Sequence, residues 1–324
     1  LLTAVFGGRP GMISGATGAV AVVYASLVMQ HSVEYLFAAV LLAGLLQITA
    51  GILRLGKFVR LIPHPVMLGF VNGLAIVIFL AQRGQFKTLT ALPDGSGTTL
   101  AWLQGRDLGI MVLMVGVTMA ICHFMPKLTK AVPSSLVAIV VMTLASIGLA
   151  HAGIYEGRTV IDFVNMNDPG TTSLQGGFPV FHLPQVAFNW ETLRIIFPYS
   201  ALAASVGLIE SLLTLTLIDE LTETRGRGNR ECVGQGLANL TCGFFSGIGG
   251  CAMIGQSMIN IKSGGRGRLS GITAAIGLLV LVMFGSAWIQ LIPLAALVGV
   301  MFMVVIATFA WSSLRIMRQI PKSD

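Results

Sequence analysis

Seven apolar runs of membrane-spanning length dominate this sequence, at about 34–53, 61–82, 107–125, 132–151, 194–218, 269–290 and 293–314. Crossing a bilayer takes about 20 mostly apolar residues whose backbone groups are satisfied internally, so runs of this kind read as helices. Three less regular stretches accompany them: 11–29 is rich in small residues, 229–246 is Gly-rich, and 251–262 is too short to cross alone. Together they make ten elements. The 324 residues are 55% hydrophobic and 10% charged, where a soluble domain carries about a quarter charged residues. A soluble enzyme and a disordered chain are both excluded by this. The net charge of +7 does not point to nucleic acid, because the basic residues form small clusters between apolar runs and no single basic face.

Those clusters test the element count. With the first element running outward, Arg9, Arg54, Lys57, Arg60, Lys127, Lys130, Arg225, Arg227, Arg230, Lys262, Arg266, Arg268, Arg315, Arg318 and Lys322 fall on the cytoplasmic side. Arg83, Lys87, Arg106, Arg158 and Arg194 remain outside, a bias of 15 to 5 among the 20 Lys+Arg. This is the positive-inside pattern held through ten elements. The loop at 152–193 falls outside and carries turn formers such as Asn165, Asp168, Pro169, Gly176 and Pro184 without helical periodicity. It divides the chain into first-repeat spans (1–151), an outer connecting loop (152–193) and second-repeat spans (194–324). Cys122, Cys232, Cys242 and Cys251 form no ligand pattern and read as reduced packing residues. The chain opens on Leu1 inside an apolar stretch, the look of a fragment of something longer.

Two segments break the helical pattern in the same way. One reads Gly7-Gly8-Arg9-Pro10-Gly11-Met12-Ile13-Ser14-Gly15-Ala16-Thr17-Gly18; the other reads Gly249-Gly250-Cys251-Ala252-Met253-Ile254-Gly255-Gln256-Ser257-Met258. Each has a Gly pair, a Met-Ile step and then small polar residues. As first and eighth elements they run oppositely through the membrane. Irregular backbone at membrane depth is tolerated beside protein or a water-filled cavity, and a matched pair of such segments points to a secondary transporter. Facing helix N-termini with unpaired N–H groups attract an anion. The expected anion-binding residues are Gly15, Ala16, Thr17, Gly18, Ile254, Gly255, Gln256 and Ser257. The plainer alternative is that the glycines serve only close helix packing.

Glu210 is the one acidic residue well inside the run 194–218, and Thr214 lies one turn on along the same helical face. An intramembrane carboxylate beside a hydroxyl suits a coupling Na⁺ or a carried proton. Ser211, Thr216, Gln47 and Asn72 read as helix-packing groups, and Pro63-His64-Pro65 as an interfacial helix start. Asp219, Glu220 and Glu223 read as a solvated cytoplasmic face.

These residues together resemble the SulP family of inorganic anion transporters. The resemblance rests on Ile13–Gly18, on Leu61-Ile62-Pro63-His64-Pro65-Val66-Met67-Leu68-Gly69-Phe70-Val71-Asn72-Gly73, and on Gly207-Leu208-Ile209-Glu210-Ser211-Leu212-Leu213-Thr214. Gln235–Asn239 and Lys262–Arg266 fit as well. It implies an all-α polytopic membrane protein of inverted-repeat (7+7) type with core and gate bundles, here incomplete at both ends and covering about segments 2 to 12. A cytoplasmic STAS domain usually follows in the family and is not in this chain. The resemblance also implies that the interrupted elements are the anion-binding segments 3 and 10. Glu210 and Thr214 then match the Na⁺ site of cyanobacterial bicarbonate members. Gln256 stands where many animal exchangers have arginine, which favours neutralisation by a co-transported cation. Spans 11–29, 34–53, 194–218 and 229–262 go to the core; 61–82, 107–151 and mainly 269–314 go to the gate.

The expected function is secondary transport of a small inorganic anion across a bacterial inner membrane, with sulfate favoured first and Na⁺-coupled bicarbonate second. No cofactor is expected beyond the coupling Na⁺ or H⁺, no further metal, and no nucleic-acid partner; the bilayer and a homodimer partner are expected. A non-transporting scaffold is the alternative of another class. A nucleobase carrier of related architecture is disfavoured because the second interrupted element has Gln256 and no acid.

Overall fold

The computed structural model describes residues 1–57, 64–91, 98–129, 132–167, 173–174, 176–311 and 313. They form two compact units interleaved in sequence: Leu1–His64 with Gly177–Leu281, and Pro65–Gly176 with Val282–Asp324.

The first unit holds α1 (Leu2–Phe6), β1 (Ser14–Gly15), α2 (Gly18–Gln30) and α3 (Val33–Ile52). From the later sequence come α8 (Trp190–Thr222), α9 (Gly228–Phe244), β4 (Cys251–Ala252), α10 (Ile254–Lys262) and most of α11 (Arg268–Ile289). Its core joins α2, α3 and α8 through Tyr24, Leu27, Leu36, Val40, Ile196 and Ala203. The closest packing is α3 on α9, where small residues let two backbones touch. A Cβ on Gly44 would stand 2.6 Å from the Leu240 nitrogen, and one on Gly236 2.6 Å from the Gly44 carbonyl. At 1.5 Å per residue the 33 residues of α8 extend about 50 Å, against about 30 Å of hydrocarbon, so it projects beyond the membrane core or crosses it tilted. Asn189 caps it, its Oδ1 accepting from the Thr192 amide at 2.8 Å, and Glu223 ends it in the left-handed region at φ 52.

The second unit contains α4 (His64–Ala81), a hairpin of β2 (Lys87–Ala91) and β3 (Thr98–Trp102), α5 (Gly105–Leu128), α6 (Ser134–His151), α7 (Val160–Asn167) and α12 (Leu294–Thr308). Met111, Met114, Val115, Met142, Ala296 and Val298 form its core. The start of α7 is tied to the start of α12: Val160 donates to the Ile292 carbonyl at 3.0 Å and Leu294 to that of Arg158 at 2.8 Å. Five helices among the described residues are long and apolar enough to cross a membrane, and α12 is a shorter apolar helix. On α11, Leu278, Phe284 and Trp288 are 61%, 76% and 77% exposed, an apolar surface suited to lipid and not to water.

Several expectations need correcting. The loop at 152–193 contains a helix, α7, whose Asp162 accepts from the Thr159 amide at 2.7 Å and caps its start. The hairpin at 87–102 carried no sequence signal strong enough to register beside the apolar runs. The last run ends as helix at Thr308, and Phe309 is extended, with Asn72 Oδ1 accepting from the Ala310 amide at 2.7 Å. Asn72 therefore does bridge segments, as expected. Asp219 is not a solvated group: its side chain is 16% exposed and pairs with Arg9, 7% exposed, at 3.2 Å. Arg9 also donates to Thr222, to Thr224 and to the Ile218 carbonyl, so it is a buried structural cation as well as a topology charge. Glu220 and Glu223 are exposed. Arg60, Pro63, Lys130, Asp168, Pro169, Arg315, Arg318 and Lys322, and the side chain of His64, lie outside the described residues.

Candidate functional site

The two interrupted segments meet as a two-rung antiparallel ladder, with Ser14 opposite Ala252 and Gly15 opposite Cys251. The pairing is held from every side. Asn239 clamps Gly250, accepting from its amide at 2.8 Å and donating to its carbonyl at 3.0 Å. Gln47 accepts from the same Asn239 amide at 2.8 Å. Ser211 accepts from the Ala252 amide at 3.0 Å. A Cβ on Gly250 would fall on the Gly15 carbonyl, so only glycine permits this approach. Gly249, at φ +67, supplies the turn before it.

Each strand runs directly into a helix. Thr17 is the N-cap of α2 and Met253 that of α10, and neither side chain caps its helix. The first N–H groups of a helix have no partner within it, so two helix starts with positive ends flank one ladder from opposite directions. Ala16, Gly255 and Gln256 are exposed there, Gly15, Thr17, Gly18 and Ile254 are partly so, and the space around Gly255 is open. Ser257 is placed differently from the rest. It is fully buried and braces the ladder, accepting from the Ile13 amide at 2.9 Å. Gln256 stands exposed on the first turn of α10.

Glu210 reaches the same ladder from α8. Its Oε2 accepts from Cys251 Sγ at 2.9 Å, and Cys251 Sγ lies 3.2 Å from Thr17 Oγ1. Thr17, Cys251 and Glu210 thus form one hydrogen-bonded line from a helix start to a carboxylate. Thr214 is fully buried one turn on. Its hydroxyl is shared between the Glu210 carbonyl at 2.8 Å and the Ala252 carbonyl at 3.4 Å, so it approaches Glu210 through backbone. Among the described residues the ion pairs are Arg9–Asp219 and His182–Glu34, and neither involves Glu210.

Sequence reasoning missed the roles of Cys251, Glu231 and Gln235 and the pairing of Gln47 with Asn239. Cys251 is a link and not a packing thiol; its place directly after a Gly pair in an interrupted segment was the available signal. Glu231 is a second buried acid, 1% exposed. It accepts from the Gly8 amide at 2.7 Å and from Gln235 Nε2 at 2.9 Å. Gln235 in turn donates to Ser14 Oγ at 2.7 Å. Glu231 and Gln235 are four apart within the Gly-rich element, which is the helical spacing that marks a shared face. The partnership of Gln47 with Asn239 left no local trace in the sequence.

The sequence profile of the sulfate permease family matches residues 1–324, the whole chain. The chain belongs to this family. "Putative sulfate transporter YbaR" of Bacillus subtilis is 45% identical over all of the chain and 62% of the relative. "Bicarbonate transporter BicA" of Synechocystis sp. is 32% identical over 96% of the chain and 55% of the relative. The chain therefore spans between about half and two thirds of the length of these sulfate permease family relatives. The solved transmembrane domain of a cyanobacterial BicA matches with a TM-score of 0.80 and 34% identity, over 97% of this chain and 80% of that one. A structure of the murine Solute Carrier 26 family member A9 anion transporter matches with a TM-score of 0.75 at 14% identity, over 98% of this chain and 56% of that one. That second likeness is one of fold. Recognition from the sequence as a SulP-type membrane protein is correct, and so is the mostly helical architecture.

Proposed function

We propose that this sulfate permease family chain carries the anion pathway of a secondary transporter for small inorganic anions, sulfate foremost, in a bacterial inner membrane. The observation that carries this reading is the ladder of Gly15 and Cys251, from which two uncapped helix starts emerge in opposite directions. The anion sits between them, held by the free N–H groups of Gly18 and Ile254–Gln256, with Thr17 and the Gln256 amide supplementing the backbone. Backbone N–H donors suit sulfate, which at neutral pH accepts hydrogen bonds and donates none. Ser257 fixes the ladder and does not touch the anion.

Glu210 is the coupling group. A carboxylate without a cationic partner needs a proton or a metal cation to be tolerated at membrane depth, and Thr214 lies one turn on, its hydroxyl bonded to the Glu210 backbone carbonyl. Loading this group offsets the charge of the anion, and the line through Cys251 and Thr17 joins the two sites. In this reading the first compact unit is the core, the second is the gate, the halves are inverted repeats, and transport proceeds by alternating access in a homodimer. Na⁺-coupled bicarbonate symport is the second reading, favoured by Glu210 with Thr214 and by the 32% identity to BicA.

Binding of sulfate to the purified full-length gene product, followed by calorimetry, tests the site. Thr17→Trp and Gly255→Trp each fill the space before a helix start and are expected to abolish binding without loss of folded protein. Undiminished affinity in both variants would sink the site. Stronger competition by bicarbonate than by sulfate itself would make the second reading the correct one.

A further inference from the structure

Away from the ladder, the first unit carries a groove with two chemically distinct ends. One end is a cavity of about 550 Å³ walled by Lys57, Arg225, Arg227 and Arg230 over a floor of Leu212 and Leu215. The other is a cavity of about 450 Å³ between α3 and α8, walled by residues such as Leu46, Ala50, Phe197, Ala201 and Leu208. Gly56 and Leu212 line both, so the cavities adjoin. None of the anion or coupling residues named above lines either one.

Among the described residues, no acidic side chain lines the cationic end. None of its four cations is in an ion pair among the described residues, and Arg230 donates through Nε to the Phe6 carbonyl, which leaves its charge unbalanced. Asp219 is already held by Arg9 and the Gly226 amide, and Glu231 by Gly8 and Gln235. The first turn of α9 opens into the same cavity without a side-chain cap. Asn229 also lines it, and its Oδ1 is buried with no hydrogen-bond partner. Positive charge, free helix N–H groups and an orphaned acceptor call for a ligand that is anionic and also bears a donor.

We infer that this groove binds one anionic phospholipid. Its phosphodiester lies among Lys57, Arg225 and Arg227, a headgroup hydroxyl donates to Asn229, and an acyl chain runs along α3 and α8. Charge patterning places these cations at the cytoplasmic border, where anionic headgroups lie and basic pockets between helices capture them. A soluble phosphate would leave the apolar end empty. An apolar transmembrane helix would leave the four cations without a counter-charge.

The test is native mass spectrometry of the full-length gene product, delipidated in detergent and offered phosphatidylglycerol or phosphatidylcholine of matched chains. Phosphatidylglycerol is expected to be retained at least about tenfold better, with Arg225→Gln and Arg227→Gln each lowering that preference about fivefold. Ala201→Trp, which blocks the apolar end without touching charge, is expected to reduce retention of both lipids. Thermal unfolding in the same detergent identifies any variant that fails to fold, and Lys57→Gln replaces it. Equal retention of the two lipids, or a preference unchanged in every folded variant, overturns the proposal. Displacement of bound lipid by millimolar glycerol phosphate would also overturn it, since it would mark a soluble-phosphate site.

Discussion

Cys251 is the residue on which the two halves of the candidate site depend, because its thiol stands 2.9 Å from Glu210 and 3.2 Å from Thr17. A hydrogen bond to a charged group is worth about 1.5–3 kcal/mol. Cys251→Val should therefore weaken the coupling cation's effect on uptake about tenfold or more, while Cys251→Ser, which keeps a donor, should stay near wild type. Titration of uptake against Na⁺ and against pH checks both. The Arg9–Asp219 pair gives a prediction of stability instead of transport. Arg9→Met leaves a mostly buried carboxylate without its cation, at a cost on the order of 3 kcal/mol. Adding Asp219→Leu should restore much of that loss, because a matched apolar pair leaves no stranded charge. Thermal unfolding of the single and double variants in detergent measures this, and a double variant no more stable than Arg9→Met would contradict it.

At the level of elements, α3 and α9 stand or fall on Gly44 and Gly236, whose backbones touch. Gly44→Leu should destabilise the first unit by at least 1–3 kcal/mol, the usual cost of overpacking, and lower the yield of monodisperse protein in size-exclusion chromatography. An unchanged yield would mean that the two helices separate easily. Elements of this kind were largely legible in the sequence. The apolar runs marked α3, α5, α6, α8 and α11, since length and hydropathy are local properties, and the paired Gly-Gly…Met-Ile segments marked the two interruptions but not their pairing as strands. Residues that act across the fold were not legible. Nothing local says that Asn239 clamps Gly250, that Gln47 holds Asn239, or that Arg9 finds Asp219 more than 200 positions away. Asp219 read as solvated because its neighbours Glu220 and Glu223 are, and α7 was hidden by the turn formers around it. Glu210 was legible as a lone acid in an apolar run, whereas Glu231 was masked by the basic cluster beside it.

For the whole molecule, we propose that a fixed ladder presents two helix starts to an anion while Glu210, on a neighbouring helix, takes the cation that makes the loaded site tolerable in the membrane. Membership of the sulfate permease family and the match to the BicA transmembrane domain fix the setting in which this chemistry is read. The deciding measurement is uptake of labelled sulfate into proteoliposomes holding the full-length gene product, wild type beside Glu210→Gln, with imposed inward Na⁺ or H⁺ gradients and bicarbonate as competitor. One of the two gradients is expected to drive uptake in the wild type, and Glu210→Gln, reconstituted in equal amount, is expected no longer to respond to it. Gradient-driven uptake that is the same in both proteins would contradict it.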